Sequence, residues 1–256
     1  MIIKEGKVAI RKLIDDINSK GNDAPPWFMR SIEKFFESEA SKNERDGGYF
    51  RPSGITQCAR LNLYNYLNVA PFVPPDTNSM RRMMRGTEHH RIWYDIFVAA
   101  GLDVKGGDNE QTLVSMKKPT IYGHYDWIIK DREKLEHLIE WKSSEYLSPK
   151  LSWEHRTQWN LYSYMLKIPR GFLIKENPAT LELLPIKMDL DLEYAEEIIK
   201  WLLMIENASL NQEMLDFASN CGPGHPWRKT CSIYDFCHSD NGNNPWKLTR
   251  VGELEK

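Results

Sequence analysis

Three strand-like segments follow one another near the middle of the chain with no helix between them. They are residues 110–116, 120–130 and 135–142. A helix-like segment at 149–167 then leads to two further strand candidates, 171–176 and 181–188. Strands joined by short turns pair antiparallel, whereas a strand-helix-strand crossover makes its two strands parallel. The order therefore predicts an α/β fold of mixed α+β type, with a central mixed β-sheet flanked by helices, and not a doubly wound parallel sheet.

Apolar residues at helical spacing predict a helical layer before these strands and a long helix after them. The predicted helices are 3–19, 28–43, 56–68, 79–100 and 192–217. Thr56 is the expected N-cap of the third. The turn-rich stretches are short and no repeat occurs, so the turns punctuate helices rather than separate domains. We divide the chain into an N-terminal helical region over 1–49, a core over 50–190, and a C-terminal helix with a cysteine-containing segment over 191–256.

Composition limits the kinds of function that this chain can have. Its 256 residues, 41 % hydrophobic and 27 % charged, suffice for one sizeable core. A net charge of -2 argues against a protein that coats nucleic acid through a general positive field. No apolar run approaches the roughly 18 to 20 residues of a membrane span, and the N-terminus lacks the features of a signal peptide. We therefore expect a cytoplasmic protein that does not bind membranes.

Glu140 and Lys142 stand two apart on a predicted strand, so their side chains leave the same face of the sheet. Such a pair suits a carboxylate on a metal ion beside a lysine that contacts a phosphate or an attacking water. The same pair also describes an ion pair on a solvated strand. The choice depends on the residues that accompany it.

Asp126 ends the sequence Gly-His-Tyr-Asp and precedes the apolar Trp127 and Ile128. An acid next to buried strand residues needs a partner, and a divalent cation held by oxygens of Asp126 and Glu140 would serve. A turn aspartate after Gly123 is the alternative interpretation.

Helical segments add further polar candidates. His89 and His90 lie on the predicted 79–100 helix and could give a nitrogen ligand to the same ion. Gln158 and Tyr162, four apart on one helical face, could hold the lysine, a carboxylate or a phosphate in place, although helix packing explains them as well.

These motifs occur in one order along the chain: Gly86-Thr-Glu-His-His90, Asp126, Glu140-Trp-Lys142 and Gln158-Trp-Asn-Leu-Tyr162. In this the sequence resembles the RecB-like branch of the PD-(D/E)XK nuclease superfamily, over roughly residues 50 to 240. The resemblance implies a restriction-endonuclease-like core over 50–190 that hydrolyses DNA with Mg²⁺ or Mn²⁺. It also implies His90, Asp126, Glu140 and the main-chain carbonyl of Trp141 as metal ligands, with Lys142 catalytic and Gln158 and Tyr162 in support.

The four cysteines extend the resemblance to iron-sulfur members of this branch, such as the AddB nuclease domain and CRISPR-associated exonucleases of spacer acquisition. Cys58 precedes the core, and Cys221, Cys231 and Cys237 follow it. Five residues separate the last two cysteines, as in the family, but nine separate Cys221 from Cys231, where the family usually has two. The resemblance implies one 4Fe-4S cluster. Structural Zn²⁺ and free thiols are the alternatives.

The function expected from the sequence is that of a DNA exonuclease, acting on single-stranded DNA or on free ends in recombination, repair or end-processing. Tryptophans near the motifs would favour single strands if their rings stacked on bases, although packing is their commoner use. One alternative is a CRISPR spacer-acquisition nuclease that works with an integrase complex. Another is a catalytically silent DNA-binding or assembly module. If a phage encodes the protein, its setting is the host cytoplasm.

Overall fold

The computed structural model describes residues 26–41, 47–69, 77–106, 112–216, 231 and 233–247. The chain divides into two compact units, Met1–Glu44 with Pro74–Arg85, and Arg45–Val73 with Gly86–Lys256. The helix predicted at 3–19 lies outside the described residues. The three-region division of the sequence stays a prediction.

Seven helices occur in the described residues: α1 (Pro26–Ser41), α2 (Ala59–Leu67), α3 (Thr77–Ala99), α4 (Trp153–Leu166), α5 (Leu192–Leu210), α6 (Tyr234–Cys237) and α7 (Asp240–Asn243). Short 3-10 turns occupy Pro52–Gly54 and Pro245–Lys247. The strands are β1 (Asp103–Gly106), β2 (Leu113–Lys117), β3 (Thr120–His124), β4 (Trp127–Lys130), β5 (Glu136–Ser143), β6 (Arg170–Glu176) and β7 (Leu183–Asp189). In the described part of the chain, no helix has the length and apolar content that crossing a membrane requires.

A five-stranded sheet has the order β1-β4-β5-β6-β7, and β2 pairs with β3 as a separate hairpin. Strands β5 and β6 are parallel because α4 connects them, and the other neighbours in the sheet are antiparallel. The mixed sheet flanked by helices is therefore confirmed. Strand β1, at the edge beside β4, was not among the predicted strands.

The single strand predicted over 120–130 is wrong, because the chain leaves one sheet and enters another within it. β3 ends at His124 in the hairpin, and β4 begins at Trp127 in the five-stranded sheet. Tyr125 and Asp126 form the break. The apolar pattern runs through both strands and did not indicate the break, whereas the alternative interpretation of Asp126 as a turn aspartate agrees with it.

Two helix boundaries also differ from expectation. The N-cap of α2 is Cys58, whose Sγ accepts from the Leu61 amide, because the helix begins at Ala59; the Oγ1 of Thr56 instead accepts from the Cys58 amide at 3.2 Å. Helix α5 ends at Leu210, short of the predicted 217.

Both faces of β5 are covered by helices. Leu138 packs with Trp159 and Tyr162 of α4 on one face. Trp141 packs with Trp93 of α3 on the other. The central strand thus carries alternate side chains toward two different helices.

Candidate active site

The carboxylate of Glu140 lies at the centre of the site, fully buried between β5 and α4. Its Oε2 accepts from Gln158 Nε2 at 3.0 Å and lies 3.4 Å from Lys142 Nζ. Its Oε1 is buried and has no hydrogen-bond partner among the described residues. A buried carboxylate oxygen without a partner is costly, so this atom is suited to a ligand that supplies positive charge.

Asp126 joins the site from the break between β3 and β4. Because β4 begins at Trp127, the ladder with β5 stops at Ile139, and the Trp141 amide instead donates to Asp126 Oδ2 at 2.6 Å. The other oxygen, Oδ1, lies 3.5 Å from His90 Nδ1. The carboxylate therefore links β5 to α3.

Burial and the charge of Asp126 both make it harder to ionise Glu140. Burial raises the pKa of Glu140 well above its usual range, and the charge of Asp126 raises it further, while Lys142 opposes this in part. For Lys142, burial alone would lower the pKa, but Glu140 and Asp126 outweigh it, and the pKa is raised. Lys142 thus stays an ammonium with 21 % of its side chain exposed. The site combines a fixed cation with repelling carboxylates that a further cation would stabilise.

Tyr162 completes the side of the site formed by α4. Burial, together with the charges of Glu140 and Asp126, raises the pKa of its phenol, which stays neutral. The ring reaches this position because Gly123 has no side chain: a Cβ there would lie 2.7 Å from Tyr162 Oη and 2.9 Å from Pro52 Cδ. The glycine of Gly-His-Tyr-Asp therefore has a steric role.

Two residues near the site were missed by the sequence analysis. Burial and the nearby Lys142 and Lys175 lower the pKa of His155, and its Nδ1 is buried without a partner among the described residues. Glu176, at the end of β6, accepts from His89 at 3.1 Å. His155 precedes Gln158 by three residues on α4, which is a signal of a shared face. Nothing in the sequence around Glu176 indicates its partner.

The donor atoms fit a hard divalent cation in kind, though they do not form a closed set. One imidazole, two carboxylates and the Trp141 carbonyl are the ligand types that Mg²⁺ and Mn²⁺ accept. Across the described ranges, no group of three or more His, Cys, Asp and Glu side chains is close enough to hold a metal ion. The unpartnered Glu140 Oε1 and the His90–Asp126 contact are the observations that favour a cation here.

Three of the cysteines lie near one another, away from this site, although they too form no group close enough to hold a metal ion among the described residues. Cys58, Cys231 and Cys237 are free thiols. Burial raises the pKa of Cys58, and the neighbouring Cys237 and Cys231 raise it further. Tyr64 Oη lies 3.6 Å from Cys237 Sγ. Cys221 lies outside the described residues. Adjacent thiols suit iron-sulfur or zinc ligation in kind.

The tryptophans nearest the site are packing residues. Trp127 and Trp159 have no exposed surface, and Trp141 is 4 % exposed. Rings this deeply buried have no face on which a nucleobase could stack.

Comparison with known proteins identifies the fold. No protein-family model matches the chain, and a search of curated proteins finds no relative. Among solved structures, the chain is similar to SSO0001, with a TM-score of 0.51 and 15 % identity over 82 % of this chain and 96 % of that one. This likeness shows the fold, which is the restriction-endonuclease-like arrangement of a mixed sheet between helices.

Two further structures are also similar. One is the alkaline exonuclease LHK-Exo from Laribacter hongkongensis, with a TM-score of 0.42 and 15 % identity over 68 % of this chain and 91 % of that one. The other is LHK-Exo in complex with dAMP, with a TM-score of 0.46 and 15 % identity over 64 % of this chain and 89 % of that one.

Proposed function

We propose that the protein is a DNA exonuclease that depends on Mg²⁺ or Mn²⁺. The observation that carries the proposal is the buried Glu140 carboxylate, which has one oxygen bound by Lys142 and Gln158 and the other without a partner, beside a second carboxylate. A site that served only stability would not keep two mutually repelling carboxylates and an unsatisfied oxygen.

The residues that would hold the cation are His90, Asp126, Glu140 and the Trp141 carbonyl. When bound, the cation would lower the pKa of a water molecule and neutralise charge on the phosphate. Lys142, a partly exposed ammonium, binds a non-bridging phosphate oxygen and stabilises the charge that develops on it.

Two other residues of α4 orient these groups. Gln158 fixes the rotamer of Glu140 by its 3.0 Å hydrogen bond. Tyr162, kept neutral, is a hydrogen-bond donor beside the carboxylates.

The preferred substrate in this proposal is linear DNA with a free end, single-stranded by preference, and the setting is recombination, repair or end-processing in the cytoplasm. For the cysteines, the proposal is a 4Fe-4S cluster on Cys58, Cys221, Cys231 and Cys237, and what supports it is that Cys231 and Cys237 lie near enough to Cys58 to raise the pKa of its thiol. Zinc is the alternative for the same cysteines. An iron and zinc analysis of anaerobically purified protein distinguishes the two: about four irons per chain are expected, and stoichiometric zinc without iron would contradict the cluster.

The test is digestion of end-labelled single-stranded DNA, duplex DNA and a closed circle, with Mg²⁺ or Mn²⁺ and with EDTA. Wild type is compared with Glu140→Gln and with Glu206→Gln, a control carboxylate that is also buried but accepts from Tyr66 and Thr120 instead. We expect cation-dependent loss of linear strands, an intact circle, and a reduction of about a hundredfold or more in Glu140→Gln alone.

Each of the other outcomes indicates a different function for the protein. Cutting of the circle indicates an endonuclease. Absence of cleavage by protein replete with metal and cofactor, together with retained DNA binding, indicates a DNA-binding or assembly module. Cleavage that appears only when a CRISPR integrase complex is added, with a stable complex between the two, indicates a spacer-acquisition nuclease.

A further inference from the structure

Glu176 is a buried carboxylate on the opposite face of the sheet from Glu140. Its side chain is 5 % exposed. One oxygen, Oε2, has three nitrogen neighbours: Trp141 Nε1 at 3.0 Å, His89 Nδ1 at 3.1 Å and Trp93 Nε1 at 3.4 Å. Both indole nitrogens are donors only, so this oxygen is an acceptor for two different secondary-structure elements.

These neighbours connect three elements. His89 and Trp93 lie on α3, Trp141 lies on β5, and Glu176 itself ends β6. The rings of Trp93 and Trp141 are 4.5 Å apart, so the carboxylate and the ring contact hold the same pair of elements together. Glu176 therefore fixes where the part of α3 from Gly86 onward lies against the sheet.

Both elements held by Glu176 carry residues of the candidate active site. Trp141 donates its amide to Asp126 Oδ2 at 2.6 Å, and its carbonyl is a proposed cation ligand. His90 follows His89 directly on α3 and lies 3.5 Å from Asp126 Oδ1. A displacement of the indole or of the helix turn would move the Trp141 main chain or the His90 ring.

Two other roles for Glu176 fit the contacts less well. As a direct ligand it would have to reach the cation beside Glu140, whereas the pairing of β5 with β6 places it on the other face of the sheet, where two indoles and an imidazole contact Oε2. As a packing residue it would be a poor choice, since burying a carboxylate is costly and an apolar side chain of similar volume often serves as well. A charged Glu176 is therefore explained better if the positions of the side chains that donate to it matter for the site.

We propose that Glu176 is a positioning residue for the divalent-cation site, holding His90 and the Trp141 main chain in place through His89, Trp93 and Trp141. This inference rests on the proposed function. It also assigns different tasks to the adjacent histidines: His90 faces Asp126, and His89 anchors the helix.

The test is a calorimetric titration with Mn²⁺, without DNA, of protein that keeps its cysteine-bound cofactor and is free of other divalent cations, for wild type, Glu176→Gln and Glu206→Gln. The neutral amide accepts more weakly than a carboxylate, so the two indoles and His89 are held less firmly. Outer-shell substitutions at metal sites typically weaken metal binding by about tenfold to a hundredfold. We expect a weakening of that size in Glu176→Gln and wild-type affinity in Glu206→Gln, with unfolding in EDTA measured for both variants.

Unchanged Mn²⁺ affinity in Glu176→Gln overturns the inference, as does an equal loss in Glu206→Gln, which would reflect general destabilisation. Should Glu176→Gln not fold, Trp141→Phe removes one donor and keeps the ring. Its control is Trp246→Phe, which loses the indole bond to the Ser209 carbonyl. Weaker Mn²⁺ binding in Trp141→Phe alone supports the inference, and equal affinities overturn it.

Failure of the proposed function gives a separate result. A wild-type protein that binds no Mn²⁺ removes the metal site and this inference together. A wild-type protein that binds Mn²⁺ without cleaving DNA removes only the exonuclease, and the same titrations still decide the role of Glu176.

Discussion

Glu140 is fully buried, and the balance of its neighbours decides whether its carboxyl group ionises. Lys142 and Gln158 satisfy one oxygen, whereas Asp126 opposes ionisation. The site is therefore built at a cost to the stability of the metal-free protein, a trade that functional sites commonly make.

This cost should appear as a pH dependence of stability. A carboxyl whose pKa is raised in the folded state binds its proton more tightly there, so its contribution to stability falls as pH rises above the unfolded pKa of about 4.5. Glu140→Gln has no such proton. Measured by denaturant unfolding in EDTA, its free energy of unfolding should gain about 1 to 3 kcal/mol relative to wild type between pH 5 and pH 8.

Lys142 does not account for such a change, because its pKa is raised and it stays charged throughout that interval. A difference between Glu140→Gln and wild type that is constant from pH 5 to pH 8 would show that Glu140 titrates normally.

At the residue scale, the sequence predicts contacts between side chains of the same helix or strand, because the spacing of side chains along one such element is regular. The shared face of Glu140 and Lys142 follows from strand alternation, and the 3.4 Å contact agrees with it. The contact between Glu176 and Trp141 joins residues 35 apart in the chain, through the way that β6 and β5 pair. No local pattern carries that information.

At the element scale, the break at Tyr125 and Asp126 is the feature that brings the site together. Sequence periodicity predicts the strands but treats β3 and β4 as one, because apolar residues occur on both sides of the break. The break ends the ladder and makes Asp126 the partner of the Trp141 amide. The order of elements and the mixed sheet were predictable, whereas this turn was indicated only by the alternative interpretation of Asp126 as a turn aspartate.

The close approach of β3 to α4 should make Gly123 intolerant of a side chain. Gly123→Ala places a methyl group against Tyr162 Oη and Pro52 Cδ, so the strand or the ring must move. We expect a loss of about 1 to 3 kcal/mol in the free energy of unfolding and a lower rate of DNA cleavage.

The matched control is Gly86→Ala on α3, where a Cβ meets no atom of the described residues within 4 Å. An alanine in a helix interior should raise the free energy of unfolding by about 0.5 to 1 kcal/mol. Equal effects of the two alanines would show that the contact with Tyr162 is not what Gly123 protects.

At the scale of the whole molecule, an early helix and the segment 231–247 hold each other in place. Arg60 of α2, 7 % exposed, donates Nε to the Leu215 carbonyl and Nη1 to Asn243 Oδ1 at 3.2 Å and to the Cys237 carbonyl at 3.5 Å. Tyr64, one turn later, donates to the Gly242 carbonyl at 2.8 Å. The single cluster that the resemblance implies for the four cysteines would bring these regions together, but the sequence did not indicate that a buried guanidinium would join them.

Arg60→Ala should loosen this junction and leave the divalent-cation site intact. The substitution leaves buried carbonyls without a donor, so we expect the free energy of unfolding to fall by about 2 to 3 kcal/mol. Arg60→Lys should restore little, because one ammonium cannot reproduce the fork of donors. Proteolysis of native protein should cut the 231–247 segment faster in both variants, while calorimetric Mn²⁺ affinity stays at the wild-type value.

Arg51→Ala, which removes an exposed arginine bound to Tyr49, is the control and should change stability by less than about 0.5 kcal/mol. Loss of Mn²⁺ binding in Arg60→Ala at a temperature where it is folded would show that the junction and the cation site form one cooperative structure.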